Sequence, residues 1–171
     1  MRKISMCLML VFLGLCAVAP LQAQMNVRHI QDADRPIATG VWAGDTLYLS
    51  GQLASPVTPA DPAKGVAAVY GNTETQTMST LTKIQATLKA EGLTMSDVVM
   101  MHVYLAGDPA NGNKMDFAGM MASYSRFFGT KEQPNKPGRS TVQVAALAAP
   151  WAMVEIEVIA VKTSASAKSS P

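Results

Sequence analysis

Two residue types that often carry chemistry are nearly missing from this sequence. Of 171 residues, two are cysteines and two are histidines. Both cysteines, Cys7 and Cys16, fall in the first apolar stretch. Past that stretch no thiol exists to form a disulfide, bind a metal or attack a substrate. His29 and His102 lie far apart on different elements, whereas metal sites recruit several ligands at short spacing. No metal and no cofactor is expected. Charged residues make up only 15% of the chain. The densest basic group, Lys131, Lys136 and Arg139, is diluted by Glu132. Nucleic-acid binding rests on clustered phosphate-neutralising cations, so no nucleic-acid partner is expected. A glycine-rich phosphate loop is missing too: Gly107, Gly112 and Gly119 lack the strand-to-helix setting.

What is present begins with an export signal. Met1-Arg2-Lys3 is basic, Cys7 to Val18 is apolar, and Pro20-Leu21-Gln22-Ala23 ends on a small residue. This is the layout of a secretory signal peptide over residues 1–23, cleaved after Ala23. A membrane span needs about 20 apolar residues, and this run is shorter. Leu15 precedes Cys16, where lipoprotein processing prefers a small side chain, so lipidation of Cys16 is not expected. Of 14 basic and 12 acidic residues, only Arg2 and Lys3 leave with the signal, so the remainder carries 12 of each. The expected product is periplasmic or secreted, formally neutral and not membrane-bound. Residues 24–162 form one domain, and the Ser/Ala/Lys-rich segment 163–171 reads as a disordered tail.

Hydrophobic periodicity gives the elements. Ile37–Trp42 and Leu47–Leu49 flank Gly44-Asp45, a hairpin signal. Prolines 56, 59 and 62 and Gly65 mark a loop. Thr73–Glu91 is a predicted helix, with Thr73 and Gln76 as its capping box and Gly92 at its C-terminal cap. Val98–Leu105 is an apolar run broken by His102, read as a buried strand with a core histidine. Phe117, Met120, Met121, Tyr124, Phe127 and Phe128 follow helical spacing. Thr141–Val144 and Met153–Val161 are strands; in the second, Val154, Ile156 and Val158 face one way, Glu155 and Glu157 the other. The methionines are assigned to core filling. The order β-β-β-α-β-α-β-β predicts a two-layer α+β domain: about six strands in a mixed sheet, two helices on one face. The opposite face stays apolar and uncovered, which predicts an oligomer.

One stretch combines a free-standing cation with a strand. Pro137-Gly138-Arg139-Ser140-Thr141-Val142-Gln143-Val144 is followed by Ala145, Leu147 and Val154-Glu155-Ile156-Glu157. A guanidinium at a strand entry can grip a carboxylate bidentately. Glu155 on a strand expected to pair with it would supply acid/base chemistry or hold a water. A plain Arg–Glu salt bridge is the bland alternative.

These residues resemble the signature of the YjgF/RidA family, also known as the L-PSP endoribonuclease family. The matching positions are Pro137, Arg139, Ser140, Val142, Val144, Ala145, Leu147, Val154, Glu155, Ile156 and Glu157. Ser50-Gly51-Gln52, Gly92-Leu93 with Asp97-Val98-Val99, and Phe117-Ala118 with Tyr124 and Phe127-Phe128 extend the resemblance across Arg28 to Val161. The resemblance implies a chorismate-mutase-like homotrimer with clefts between subunits. It implies that Arg139 binds the carboxylate of a 2-imino or 2-enamino acid. It further implies that Glu155 positions substrate or water and that Ser50 and Gly51 line the cleft. Three positions depart from the family pattern: Ile37 stands for a tyrosine, Met121 for an asparagine and Thr141 for a cysteine. These six cleft positions besides Glu155 — Arg139, Ser50, Gly51, Thr141, Ile37 and Met121 — are the expected substrate contacts, with Arg139 and Glu155 catalytic.

Two functions follow as expectations. The first is hydrolytic deamination of small 2-imino or 2-enamino acids to a 2-oxo acid and ammonia, needing only a placed water and charge stabilisation. The second is a non-catalytic module that binds a small carboxylate or a protein. Neutral charge and the lack of paired histidines argue against ribonuclease activity.

Overall fold

A computed structural model describes residues 26–163. The predicted signal, both cysteines, and all of the predicted tail except Thr163 lie outside the described residues. The elements are β1 (Val27–Ile30), β2 (Gly40–Ala43), β3 (Thr46–Leu53), α1 (Thr73–Ala90), β4 (Val98–Ala106), α2 (Phe117–Tyr124), β5 (Gly138–Val144) and β6 (Val154–Val161). They form one six-stranded sheet in the order β1-β2-β3-β6-β4-β5. Every pair is antiparallel except β4 with β5. That parallel pair is joined through α2, because a parallel return needs a crossover long enough to hold a helix. The α+β reading with two helices on one face therefore holds.

The turn at Gly44-Asp45 works as the sequence predicts, with Gly44 at φ 59°. Helix α1 begins differently. Its N-cap is Asn72, whose side chain accepts from the Thr75 backbone N–H at 3.0 Å. Thr73 is already inside the helix and buried. Gln76 is drawn away from a capping box. Its amide donates to the carbonyls of Gly71 and Trp151 and accepts from Met153 N–H at 2.9 Å. A buried amide with three partners is worth more there than at a solvated helix end. Gly92 takes the left-handed conformation past the helix end, φ 74°. Helix α2 stops at Tyr124, so Phe127 and Phe128 follow it in turns rather than extending it.

The core lies between the helices and one sheet face. Leu81, Ile84 and Leu88 of α1 and Met120 of α2 meet Leu47, Met101, Leu105, Val154, Ile156 and Val158 of the sheet. All of these are essentially inaccessible, and each contributes about 1.5–3 kcal/mol by leaving water. At one flank Trp42 and Arg28 both donate to the Glu91 carboxylate, pinning β1 and β2 to the end of α1. Burial pushes the Glu91 carboxyl up, but those two hydrogen bonds and the Arg28 charge outweigh it, and the group ends below its ordinary value.

Strand β4 is two-faced rather than wholly buried. Met101, Val103 and Leu105 point to the helices, while Met100, His102 and Tyr104 alternate to the other side. His102 is therefore not a core histidine. It lies on the open sheet face, a third exposed, with Nδ1 2.8 Å from Glu157 Oε1. Tyr104 donates to the same oxygen at 3.2 Å. An apolar run masked this alternation because both faces carry large apolar residues.

Candidate active site

Arg139 sits on β5, an edge strand, directly opposite Met101 of β4. Paired residues share a face, so Arg139 points toward the helices. There its guanidinium carbon stacks 4.3 Å from the Tyr124 ring centroid and 5.8 Å from that of Phe117. Its Nη1 lies 3.2 Å from Met121 Sδ and 3.9 Å from Met120 Sδ. No carboxylate among the described residues pairs with it. Rings and thioethers thus fix the cation in place and leave its strong hydrogen-bond donors for an anion. Burial holds the Tyr124 phenol above its ordinary value, against the opposing charge of Arg139.

Thr141 and Gln143 follow on the same face of β5. The Thr141 hydroxyl is buried and has no hydrogen-bond partner. Gln143 accepts from Met115 N–H and donates to the Asn113 carbonyl, each at 2.9 Å. This side chain fastens the loop 107–116 that leads into Phe117. The other long loop, 54–72, is also tied down. It pairs Thr58 with Val69 and Asp61 with Val66, and Tyr70 stacks on Trp151 with centroids 3.5 Å apart.

Glu155 occupies a different place from the one expected. Strand β4 lies between β5 and β6, so Arg139 and Glu155 are not on adjacent strands. Glu155 is level with Tyr104, three residues along from Met101. The two backbone positions are therefore about 10 Å apart along the strands and about 10 Å across them. They also face opposite ways: Val154 and Ile156 point inward, and Glu155 points to the open face. Within one chain no Arg139–Glu155 ion pair is possible, which removes the salt-bridge alternative.

Glu155 has its own neighbours. Between Leu49 and Gln52, β3 shifts register against β6, a bulge that places Ser50 and Gly51 together. A Cβ on Gly51 would lie 1.9 Å from Glu155 Oε1. Only glycine leaves the carboxylate room there. The Ser50 hydroxyl donates to the Ala38 carbonyl at 2.7 Å, and Ser50 N–H donates to Thr39. That anchors the 31–39 loop and holds Ile37, 70% exposed, one residue from the bulge-bound carbonyl. The seven expected site residues thus fall into two groups. Arg139, Thr141 and Met121 lie under the edge strand; Glu155, Gly51, Ser50 and Ile37 lie around the open face. Sequence reading missed the roles of Tyr124, Met120 and Phe117 as the cradle of Arg139. Their helical spacing was visible but equally suited a plain core. Among the described residues no group of three or more His, Asp or Glu is placed to hold a metal ion, and no helix is long and apolar enough to cross a membrane.

The Endoribonuclease L-PSP family model matches residues 30–162. The chain belongs to this family, the YjgF/RidA family. A RutC family protein of Saccharolobus solfataricus is 38% identical over 128 residues, covering 75% of this chain and 88% of that protein. The 2-iminobutanoate/2-iminopropanoate deaminase of Salmonella typhimurium is 34% identical over 127 residues, covering 74% and 88%. The crystal structure of E. coli TdcF with bound serine superposes with a TM-score of 0.59 at 29% identity, over 81% of this chain and 98% of that one.

Proposed function

We propose that this protein is a hydrolytic deaminase of small 2-imino and 2-enamino acids. The observation that carries the reading is Arg139: a guanidinium on a sheet edge, cradled by Tyr124 and Met121 and without an acid partner. Its natural complement is a substrate carboxylate, gripped by two parallel hydrogen bonds. The carboxylate fixes the imine carbon, which is already electrophilic. Water adds to that carbon, a proton moves to nitrogen, the C–N bond breaks, and a 2-oxo acid and ammonia leave. Glu155 orients the water and stabilises the cationic nitrogen. No metal, cofactor or covalent nucleophile takes part.

The two half-sites belong to different copies of the chain. Arg139 and Glu155 face away from each other across one sheet, so a single chain cannot hold both against one small molecule. A homotrimer that packs the open face of one copy beside the β5 edge of the next would close the cleft. Val142, Tyr48 and Val99 are exposed apolar residues that such packing would cover. A second reading, a carboxylate-binding module without turnover, draws on the thioether of Met121 and the buried Thr141 hydroxyl, which leave few polar groups near the anchor.

The deciding measurement is 2-oxo acid release from freshly generated imino acids by residues 24–171. Release above the spontaneous rate, reduced to background by Arg139→Ala and in part by Arg139→Lys, supports the deaminase. Release at the background rate with Arg139-dependent binding of 2-oxo acids supports the module instead.

A further inference from the structure

We infer that the groove between the second half of α1 and the turn before β4 is a separate binding site. It is built for a small amphipathic monoanion, with one carboxylate or sulfonate head on an apolar body. The groove has a volume of about 1040 Å³, at the top of the range for small-ligand pockets, about 300–1,000 Å³. None of its lining residues belongs to the Arg139 group or to the Glu155 group. Its floor is carbon, from Ala86 and Ala90 on α1 and from Leu93 and Met95 on the turn. Leu93 and Met95 also belong to the core, so this floor is fixed in shape.

The polar groups of the walls divide into those already engaged and those that are not. Ser96 Oγ donates to Gln133 Oε1 at 3.1 Å, the Gln133 amide donates to the Asn135 carbonyl at 3.0 Å, and Thr82 Oγ1 donates to the Met78 carbonyl at 2.8 Å. Thr94 is closed onto Asp97, whose Oδ2 accepts from the Thr94 N–H and hydroxyl at 2.7 and 2.9 Å. The carbonyls at the end of α1 are taken by the N–H groups of Glu91, Gly92 and Leu93, so they make no demand on a lysine. The Gln85 amide and the Lys89 ammonium remain, neither with a side-chain partner among the described residues. Four residues apart on a helix, they stand side by side on one face. No Asp or Glu lines the groove among the described residues, so Lys89 is its one formal charge. A monoanion is the complement. Its head takes a charge-assisted hydrogen bond from Lys89 and a second bond from Gln85, and its apolar body covers the carbon floor. A dianion would leave one charge uncompensated, and a cation would meet Lys89.

The test uses residues 24–171 and two ligands: 8-anilino-1-naphthalenesulfonate, read by its fluorescence, and decanoate, which competes with it. Saturable dye binding is expected, displaced by decanoate at a concentration at least about tenfold below that of butyrate or of uncharged decanol. Lys89→Gln should weaken both ligands about fivefold, and Gln85→Glu, which sets a carboxylate one helical turn before Lys89, about tenfold. Lys89→Arg should stay within about twofold of the unmodified chain, which separates loss of charge from damage to the helix. Arg139→Ala should leave both affinities unchanged, and the methyl resonances of Leu93 and Met95 should shift as decanoate is added. Absence of saturable binding overturns the proposal. So does binding that Arg139→Ala abolishes and Lys89→Gln leaves intact, because the anion then sits at the other cation. Displacement by butyrate or decanol as effective as by decanoate also overturns it, since the apolar body or the charged head then plays no part.

Discussion

The two faces of the sheet treat their charges in opposite ways. On the helix side, Arg139 is held by rings and sulfurs and has no acid beside it. On the open side, Glu157 is shared by His102 and Tyr104, and Glu155 is packed against a glycine. Burial first, then the charges of Glu157 and Glu155, hold the Tyr104 phenol above its ordinary value. One face presents an unsatisfied cation and the other a surplus of carboxylate. Because side chains alternate along a strand, one sheet can carry both without letting them neutralise each other. Under the homotrimer proposed above, a site split across two faces would close only where copies meet.

The strongest way to break this comparison is subunit mixing. Arg139→Ala and Glu155→Ala proteins should each fall by about 100-fold or more in kcat/KM. Unfolded and refolded together in equal amounts, they should regain about a quarter of the wild-type rate, as random assortment of copies requires. No recovery on mixing would show that both residues serve one chain.

A more selective change is Gly51→Ala. The new methyl would meet Glu155 Oε1 at 1.9 Å and Cδ at 2.8 Å, so the carboxylate must swing away. Turnover should fall about tenfold or more, while 2-oxo acid binding at Arg139 changes less than about threefold. Equal loss of both would mean that the half-sites are not separable.

Glu91 tests the frame rather than either half-site. Its folded carboxyl titrates below its ordinary value. The stability it adds is therefore complete above the unfolded carboxyl value of about 4.3 and is lost as pH falls through the lower folded value. Glu91→Gln should lower the unfolding free energy by about 1 kcal/mol at pH 7. It should also flatten the loss between about pH 5 and pH 3. Chemical denaturation at several pH values checks both.

The smallest effect is expected at Thr141. Its hydroxyl is buried without a partner, and valine keeps the shape while removing the unpaired group. Thr141→Val should leave carboxylate binding unchanged and raise stability by up to about 1 kcal/mol. A loss of binding would instead place that hydroxyl in contact with the ligand.

Much of this was open to reading along the chain. The Gly44 turn, the Gly92 helix end and the inward Val154, Ile156 and Val158 all depend on residue identity and local spacing. Periodicity, φ preference and side-chain chemistry act within a few residues, so one dimension carries them. The errors share a cause. Thr73 and Gln76 matched a capping box, but Gln76 found better partners in Trp151 and Met153, residues remote in sequence. His102 sat in an apolar run, but which face is covered depends on where the helices dock. Arg139 and Glu155 stood on neighbouring strands in the sequence, yet β4 inserts between them because the α2 crossover makes it the parallel partner of β5. The sequence by itself determined the elements, the cation and the carboxylate. Tertiary structure alone decided that cation and carboxylate face opposite ways, because strand order and facing are set by long-range hydrogen bonding and by which side the helices bury.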